Sequence, residues 1–446
     1  MACPNPVTVR AAEKPPNILF IMVDDLGWGD LSCFGAPDLK SPNIDALMAA
    51  GTRFENFHAN CPVCSPTRAS LMTGLYPDNA GVPGVIRTPL EGRVTSWGDL
   101  RDDVTLLPAQ LKKAGYRTGI VGKWHLGLEA PDRPTDRGFD HFHGFLGDMM
   151  DDYYNHLRHG INYMRLNEET IEPEGHATDI FTDWSIDFLR ERAGSDEPFF
   201  LYLAYNAPHT PIQPPAEWLE KVKRREPEMT EQRAKLVALI EHLDASIGRV
   251  LEAMKRNGQW GEQTLVVFTS DNGGQKEVGA RNDPWRGGKQ EMWEGGIRVA
   301  TSVTWPGRIP AGVVNRDHLS LTMDFYPTLA EIAGVPVEHA IDGRSFAPLL
   351  LGKPFPAESD REFFWVRLEG GAKYGGLLYH AARRGNWKLL RNTGFEEYQL
   401  FNLESDPAED HPVPREKAPR MYQDLFDGLL RHVNQAGKVP WQRENP

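Results

Sequence analysis

What most constrains the fold of this chain is an alternation. Short, strand-sized apolar runs recur between segments whose apolar residues return every three or four positions. Asn17 to Val23, Tyr116 to Val121, Pro198 to Tyr205 and Thr264 to Thr269 read as buried strands. Asn43 to Ala50, Leu106 to Ala114 (stopped by Gly115), Asp179 to Arg192, Glu231 to Arg256 and Asp324 to Ala333 read as helices. Such alternation builds a parallel sheet covered by helices, so the expected class is α/β: a large mixed, mostly parallel sheet sandwiched by helices. After Gly343 the texture changes. Pro348, Pro354 and Pro356 punctuate a linker, and Glu362 to Arg367, Leu377 to Arg384 and Trp387 to Leu390 read as short antiparallel strands. The amphipathic stretch Lys417 to Val433 is expected to pack back on them as a helix. The organisation read from this is an N-terminal α/β domain over 16–356 and a smaller C-terminal α+β subdomain with an antiparallel sheet over 357–446, without internal repeats.

Composition narrows the partners. Lys and Arg number 49 against 62 Asp and Glu, a net charge of −13, which opposes nucleic acid as a ligand. The longest apolar run, Ile18 to Val23, is far short of the ~20 residues of a membrane-spanning helix, so no span is expected. All 4 cysteines, Cys3, Cys33, Cys61 and Cys64, fall near the start, so disulfides cannot frame the fold. Met1 to Pro16 lacks an export signal as written, but Ala11-Ala12-Glu13-Lys14 resembles the residues just after a cleavage site. The expectation is a periplasmic or secreted protein with its signal removed, the alternative a cytoplasmic one. The sequence carries no signature of oligomeric state.

Chemistry collects just past the strands. Asp24 and Asp25 follow the first, Lys123 and His125 the second, His209 the third, and Asp271 and Asn272 the fourth. The carboxyl ends of parallel strands line one edge of a sheet, where ligands bind, although a strand-terminal Asp taken alone is usually a helix cap. Asp24, Asp25, Asp271 and Asn272 are hard oxygen donors suited to Ca²⁺ or Mg²⁺ and not to zinc. Lys123, His125, His209, Arg68 and Lys289 would surround a tetrahedral oxyanion, so the edge reads as a site for a sulfate or phosphate ester. In Cys61-Pro-Val-Cys64-Ser-Pro-Thr-Arg68, Pro66 suits the first turn of a helix and places Cys64 at its positive end, where a thiol is expected to be activated. The C-x-x-C spacing also reads as a redox pair or as half of a zinc knuckle, for which no second pair exists.

Cys64-Ser65-Pro66-Thr67-Arg68 followed by Leu71-Met72-Thr73-Gly74 resembles the signature of the type I sulfatases of the alkaline phosphatase superfamily. Val23-Asp24-Asp25-Leu26-Gly27, Gly122-Lys123-Trp124-His125-Leu126-Gly127, Ala207-Pro208-His209-Thr210-Pro211, Ser270-Asp271-Asn272-Gly273-Gly274 and Gly287-Gly288-Lys289 follow the family's order. Tyr398 to Leu403 with Asp406-Pro407 is similar to its closing strand and turn. The resemblance implies an alkaline-phosphatase-like sheet and conversion of Cys64 to formylglycine by a maturation enzyme. It implies one Ca²⁺, held by Asp24, Asp25, Asp271 and Asn272 together with the modified Cys64. By the same resemblance Arg68 and Lys123 orient the nucleophile, Lys123 and Lys289 neutralise the sulfuryl oxygens, and Asp271 can take the nucleophile's proton. His209 protonates the leaving oxygen and His125 assists the second step. Pairing of Cys61 with Cys64 under oxidising conditions would block conversion.

The substrate expected is a sulfated carbohydrate. The polar segment Asp148 to Arg165 offers Asp148, Asp151, Asp152, His156 and Arg158 to a polyol, and Trp97, Trp285, Arg286 and Trp293 offer aromatic or stacking surface. Each Trp reads equally as core. The leading expectation is a sulfuric ester hydrolase. The alternatives are a phosphomonoester or phosphonate monoester hydrolase of the same superfamily and a non-catalytic sulfated-glycan-binding protein.

Overall fold

A computed structural model describes residues 14–91, 96, 98–355, 360–369 and 378–439. Its main sheet has ten strands: β1 Asn17–Val23, β2 Thr52–Phe54, β3 Arg117–Lys123, β4 His141–Phe145, β5 Met164–Leu166, β6 Glu169–Thr170, β7 Phe199–Ala204, β8 Thr264–Ser270, β9 Thr301–Thr304 and β10 Val313–Asn315. They lie in the order β10-β2-β9-β8-β1-β7-β3-β4-β5-β6. β8, β1, β7, β3 and β4 run parallel, while β9 pairs antiparallel with β8 and β5 with β4. The sheet is the mixed, mostly parallel one expected.

β1 shows why. Every residue from Ile18 to Val23 is buried, as a strand covered by helices on both faces requires, and each large apolar side chain withdrawn from water contributes up to roughly 1.5–3 kcal/mol. Helices Ala177–Glu191 and Glu231–Arg256 pack against each other, the second capped by the Thr230 hydroxyl, which accepts from the Arg233 amide. Most element boundaries shift by one to three residues from the sequence reading. The helix expected over Leu106 to Ala114 is shorter, Leu107–Lys112. The strand expected to end at Val121 continues to Lys123 because Gly122, at φ +106, passes so close to β7 that a Cβ would sit 2.0 Å from the Ala204 carbonyl.

The smaller sheet has four antiparallel strands, β11 Glu362–Leu368, β12 Leu378–Arg384, β13 Trp387–Arg391 and β14 Gln399–Asn402. The amphipathic helix Pro419–Ala436 seats Leu425 and Leu429 on Ala382, Leu389 and Leu400, as expected. Phe363, Trp365, Leu390 and Phe401 pack against Met292, Ile297, Leu321 and Met323 of the larger part. Trp365 Nε1 donates to the Ala59 carbonyl at 2.8 Å, and the Leu368 amide to that of Pro83 at 2.8 Å. The boundary read at 356/357, the cleavage-like Ala11 to Glu13, Cys3 and Trp97 lie outside the described residues. Among the described residues, no helix is long and apolar enough to cross a membrane.

Candidate active site

Because β8, β1, β7 and β3 are adjacent and parallel, their carboxyl ends deliver Asp271 and Asn272, Asp24 and Asp25, His209, and Lys123 with His125 to one edge. Two of these residues, Asp25 at φ +65 and His125 at φ +60, hold left-handed backbone, a costly arrangement that recurs where a side chain must be aimed. Helix Cys64–Thr73 enters from the side. Val63 is extended, Cys64 opens the first turn, and Gly74 ends the helix at φ +71, against the Tyr326 ring.

The floor is a lattice of buried charge. Lys123 Nζ lies 2.5 Å from Asp24 Oδ2, and Lys289 Nζ 2.7 Å from Asp25 Oδ2. Arg68, one helical turn beyond Cys64, donates from Nε and Nη2 to Asp271 Oδ2 at 3.1 and 2.8 Å, and from Nη1 to the Lys123 carbonyl and to Tyr202 Oη, each at 3.3 Å. Arg68 thus neutralises the acid cluster from within. Burial raises the Asp24 carboxyl, but Lys123, His209, Arg68 and Lys289 outweigh it and hold the group well below the usual range. Asp271 is pushed up to about 7 by burial and by the charge on Asp24.

Cys64 Sγ lies 3.5 Å from Asp24 Oδ1. The activated thiol expected from the helix end is not found: burial, then Asp24, push the thiol well above its ordinary value, more than a helix terminus offsets. Cys61, Cys64 and Cys33 are free thiols, and Cys61 turns toward the Val366 carbonyl.

The histidines differ. His125 Nε2 donates to the Ile86 carbonyl at 2.7 Å, leaving a buried Nδ1 without a partner. His209 Nδ1 donates to the Thr210 carbonyl at 2.7 Å, which leaves Nε2 to accept from Lys289 Nζ at 2.9 Å. Both rings are held below their ordinary pKa by burial first, then by Lys289 for His209 and by Lys123 for His125.

Of the clustered donors, the Asp24 and Asp25 carboxylates suit a hard cation. Asp24, Asp25, Cys64 and His209 bring ligand atoms within 4.8 Å of one another. Asn272 Nδ2 donates to Asp25 Oδ1 at 2.7 Å, but its Oδ1 is buried with no partner. A buried carbonyl oxygen lacking a donor costs about 1–3 kcal/mol unless something electropositive, such as a metal ion, meets it.

Cys64, His125, His209 and Lys289 open on a cleft of about 250 Å³, whose wall also carries Asp148, Arg158, Arg87, Arg367 and Glu369. Of the expected sugar contacts, only Asp148 and Arg158 among the described residues line it. Asp151 pairs with Arg158 at 2.8 Å, Asp152 caps a turn through the Tyr154 and Asn155 amides, and buried His156 bonds the Gly175 carbonyl. Trp285 packs on Trp28 under the Arg298 guanidinium, Arg286 stacks on Trp293, and Trp293 meets Phe401. These six belong to turns and packing. Glu369 and Arg87 were missed by sequence reasoning. Glu369 follows β11 directly, so the strand-end rule would have found it had the second sheet been read as part of the site.

Residues 16–335 match the family model described as Sulfatase, and residues 287–436 the one described as N-sulphoglucosamine sulphohydrolase, C-terminal. The chain belongs to the sulfatase family. As a sulfatase it is a sulfuric ester hydrolase. It is 36% identical over 382 residues to N-acetylgalactosamine-6-sulfatase of Homo sapiens, covering 80% of this chain and 69% of that one. It is 34% identical over 484 residues to arylsulfatase J of Mus musculus, covering 97% and 78%. The crystal structure of Ps i-CgsB in complex with k-i-k-neocarrahexaose superposes with a TM-score of 0.86 at 31% identity, over 97% of this chain and 96% of that chain.

Proposed function

We propose that this sulfatase releases inorganic sulfate from a sulfated carbohydrate, with Cys64 converted to formylglycine and Ca²⁺ held by Asp24, Asp25, Asp271 and Asn272. The observation that carries this reading is the opening of Cys64, His125, His209 and Lys289 on one cleft, beside the Asp24 and Asp25 carboxylates and with Asp271 tied to Asp24 through Arg68. A sugar is favoured by the polar wall and by relatives named for sulfated saccharides.

Hydrated formylglycine at Cys64 would supply two hydroxyls, one as nucleophile toward sulfur and one whose deprotonation would expel sulfate, and Ca²⁺ held by Asp24, Asp25, Asp271 and Asn272 would supply positive charge that eases proton loss. The protein's own groups do the rest. Arg68 and Lys123 balance the carboxylates that hold the ion, and Lys289 faces the sulfuryl oxygens from the cleft wall. As the bond between sulfur and the sugar oxygen breaks, that oxygen must gain a proton. A neutral His209 has none to give from Nε2, so the donor is the Lys289–His209 pair, which shares a proton across 2.9 Å. His125, which lines the cleft and whose Nδ1 has no partner, takes the proton of the second hydroxyl.

The test is sulfate release, read by ion chromatography, from N-acetylgalactosamine 6-sulfate and sulfated neocarrahexaose, beside the phosphate ester of the same sugar. Faster turnover of the sulfate ester is expected. Preference for the phosphate ester overturns the reading in favour of a phosphomonoesterase, and tight sugar binding by fully converted, Ca²⁺-loaded protein without turnover overturns it in favour of a binding protein.

A further inference from the structure

Beyond the reacting groups, the cleft wall carries two carboxylates, each clamped by guanidinium groups. Glu369 Oε2 accepts from Arg87 Nη2 at 2.9 Å and Oε1 from Arg367 Nε at 3.1 Å. Asp148 Oδ1 accepts from Arg158 Nε at 2.9 Å, Thr88 Oγ1 at 2.8 Å and the Met149 amide at 2.9 Å. Glu369 is 2% exposed and Asp148 6%. Buried ion pairs are weak stabilising devices, because lost hydration offsets their attraction. Unlike pairs enclosed between packed elements, these two line the reaction cleft, where a ligand can reach them.

The chemistry of that ligand follows from sign. A fixed carboxylate repels a second oxyanion, but it accepts hydrogen bonds from hydroxyls, while guanidinium edges donate back to hydroxyl oxygens. We propose that Glu369 with Arg87, and Asp148 with Arg158, form the subsite for the hydroxyl-bearing ring that carries the sulfate. This rests on the carbohydrate sulfatase reading above and makes the C-terminal sheet, through Glu369 at the end of β11, part of the cleft's specificity.

The backbone between the two pairs ties them to the reacting groups. Arg87 and Thr88 are consecutive, so one segment reaches both carboxylates. The preceding Ile86 takes the His125 Nε2 hydrogen on its carbonyl at 2.7 Å, and its amide donates to Ser65 Oγ, beside Cys64, at 3.0 Å. The Leu368 amide, next to Glu369, donates to Pro83 at the start of the same run. A ring held by these pairs is thereby held in register with His125 and Cys64. An aryl sulfate has no hydroxyls to offer and leaves both carboxylates without a ligand partner, which a site built for hydroxyls discriminates against.

The test compares kcat/KM on a sulfated saccharide with kcat/KM on 4-nitrophenyl sulfate, at equal Cys64 conversion, for wild type, Glu369→Gln and Asp148→Asn. The saccharide is whichever of N-acetylgalactosamine 6-sulfate, galactose 6-sulfate and sulfated neocarrahexaose the wild type turns over fastest. The saccharide-to-aryl ratio is expected to fall about tenfold to a hundredfold in each variant, the loss of one charged hydrogen bond, mainly through KM. Thermal midpoints check folding, and Arg87→Gln, at the more exposed end of the Glu369 pair, is the second probe of that side. A ratio within twofold of wild type in all folded variants, whether both substrates fall together or neither moves, overturns the subsite. A wild type that cleaves no sulfate ester overturns the functional reading itself, and the subsite with it.

Discussion

Among the buried charges of the described residues, one cluster lies under the cleft and another at the junction of the two sheets. The floor cluster sets Asp24, Asp25 and Asp271 against Arg68, Lys123 and Lys289. The junction cluster sets Glu294 and Glu409 against Arg298, Arg383 and Lys388, with His58 alongside. Both carry the heavy cost of removing ions from water. The junction spends its carboxylates internally. Glu294 Oε1 meets Lys388 at 2.9 Å, Oε2 meets His58 at 2.9 Å and Arg298 at 3.2 Å, and Glu409 bonds the Glu294 amide at 2.7 Å. The floor leaves Asn272 Oδ1 without a donor, and His125, whose Nδ1 has no partner, lines the cleft. Both clusters keep an unpartnered imidazole nitrogen, His58 Nδ1 in the junction and His125 Nδ1 beside the floor; what sets the floor apart is that its neighbours open on a cleft a ligand can enter, whereas the junction's carboxylates are closed by its own cations.

The sharpest way to break this contrast is to remove each cluster's central group. Cys64→Ala should lower sulfate-ester hydrolysis by at least about 10⁴-fold while leaving the thermal midpoint within a few degrees, because it removes the nucleophile and few packing contacts. A comparable loss of stability would place the floor with the junction. Glu294→Gln should do the reverse. It leaves Lys388, Arg298 and Arg383 with less compensating charge, so denaturant unfolding should show a loss of about 3–5 kcal/mol while activity per folded molecule persists.

A smaller effect separates the two histidines. His125→Ala should cost about 10²-fold in kcat with a modest change in KM, as loss of a positioned base does, and steady-state kinetics on a sulfated saccharide read it directly. The smallest effect concerns the C-terminal helix. His432 lies 3.0 Å from Asp78, stacked on Phe364; burial opposes its charge, but Asp78 and Asp342 prevail and its pKa is raised. A raised folded-state pKa gives stability that is complete below the free value, about 6.5, and is lost as pH rises through the folded one. Thermal midpoints should therefore decline as pH rises above 6.5, and His432→Gln should flatten that part of the decline.

The floor's carboxylates, Lys123 and Cys64 were legible because each stands at the end of a strand or the start of a helix, where local sequence fixes direction. Asp24, Asp271 and Cys64 needed only the order of elements. The junction was not legible, since Glu294, Lys388 and Glu409 are far apart in sequence and charged residues read by default as solvated surface. The cleft wall fell between these cases. Trp285 and Trp293 flank Lys289 in sequence, but their rings were taken up by Trp28 and Phe401. Asp151 and Asp152 looked like free polar groups and are consumed by Arg158 and by a turn. Proximity along the chain locates a residue near a site; which side chain faces the cleft is decided by packing that sequence periodicity does not encode.

The central claim, that the open floor is a sulfate-ester site built around Cys64, is tested most directly by measuring Cys64 conversion and activity on the same samples. Protein co-expressed with graded amounts of a formylglycine-generating enzyme would be digested, the Cys64 peptide assigned by mass spectrometry as thiol or aldehyde, and sulfate release measured at saturating Ca²⁺. The account predicts activity proportional to the converted fraction, on a line through the origin. Full activity in unconverted protein, or none in fully converted protein, would contradict it.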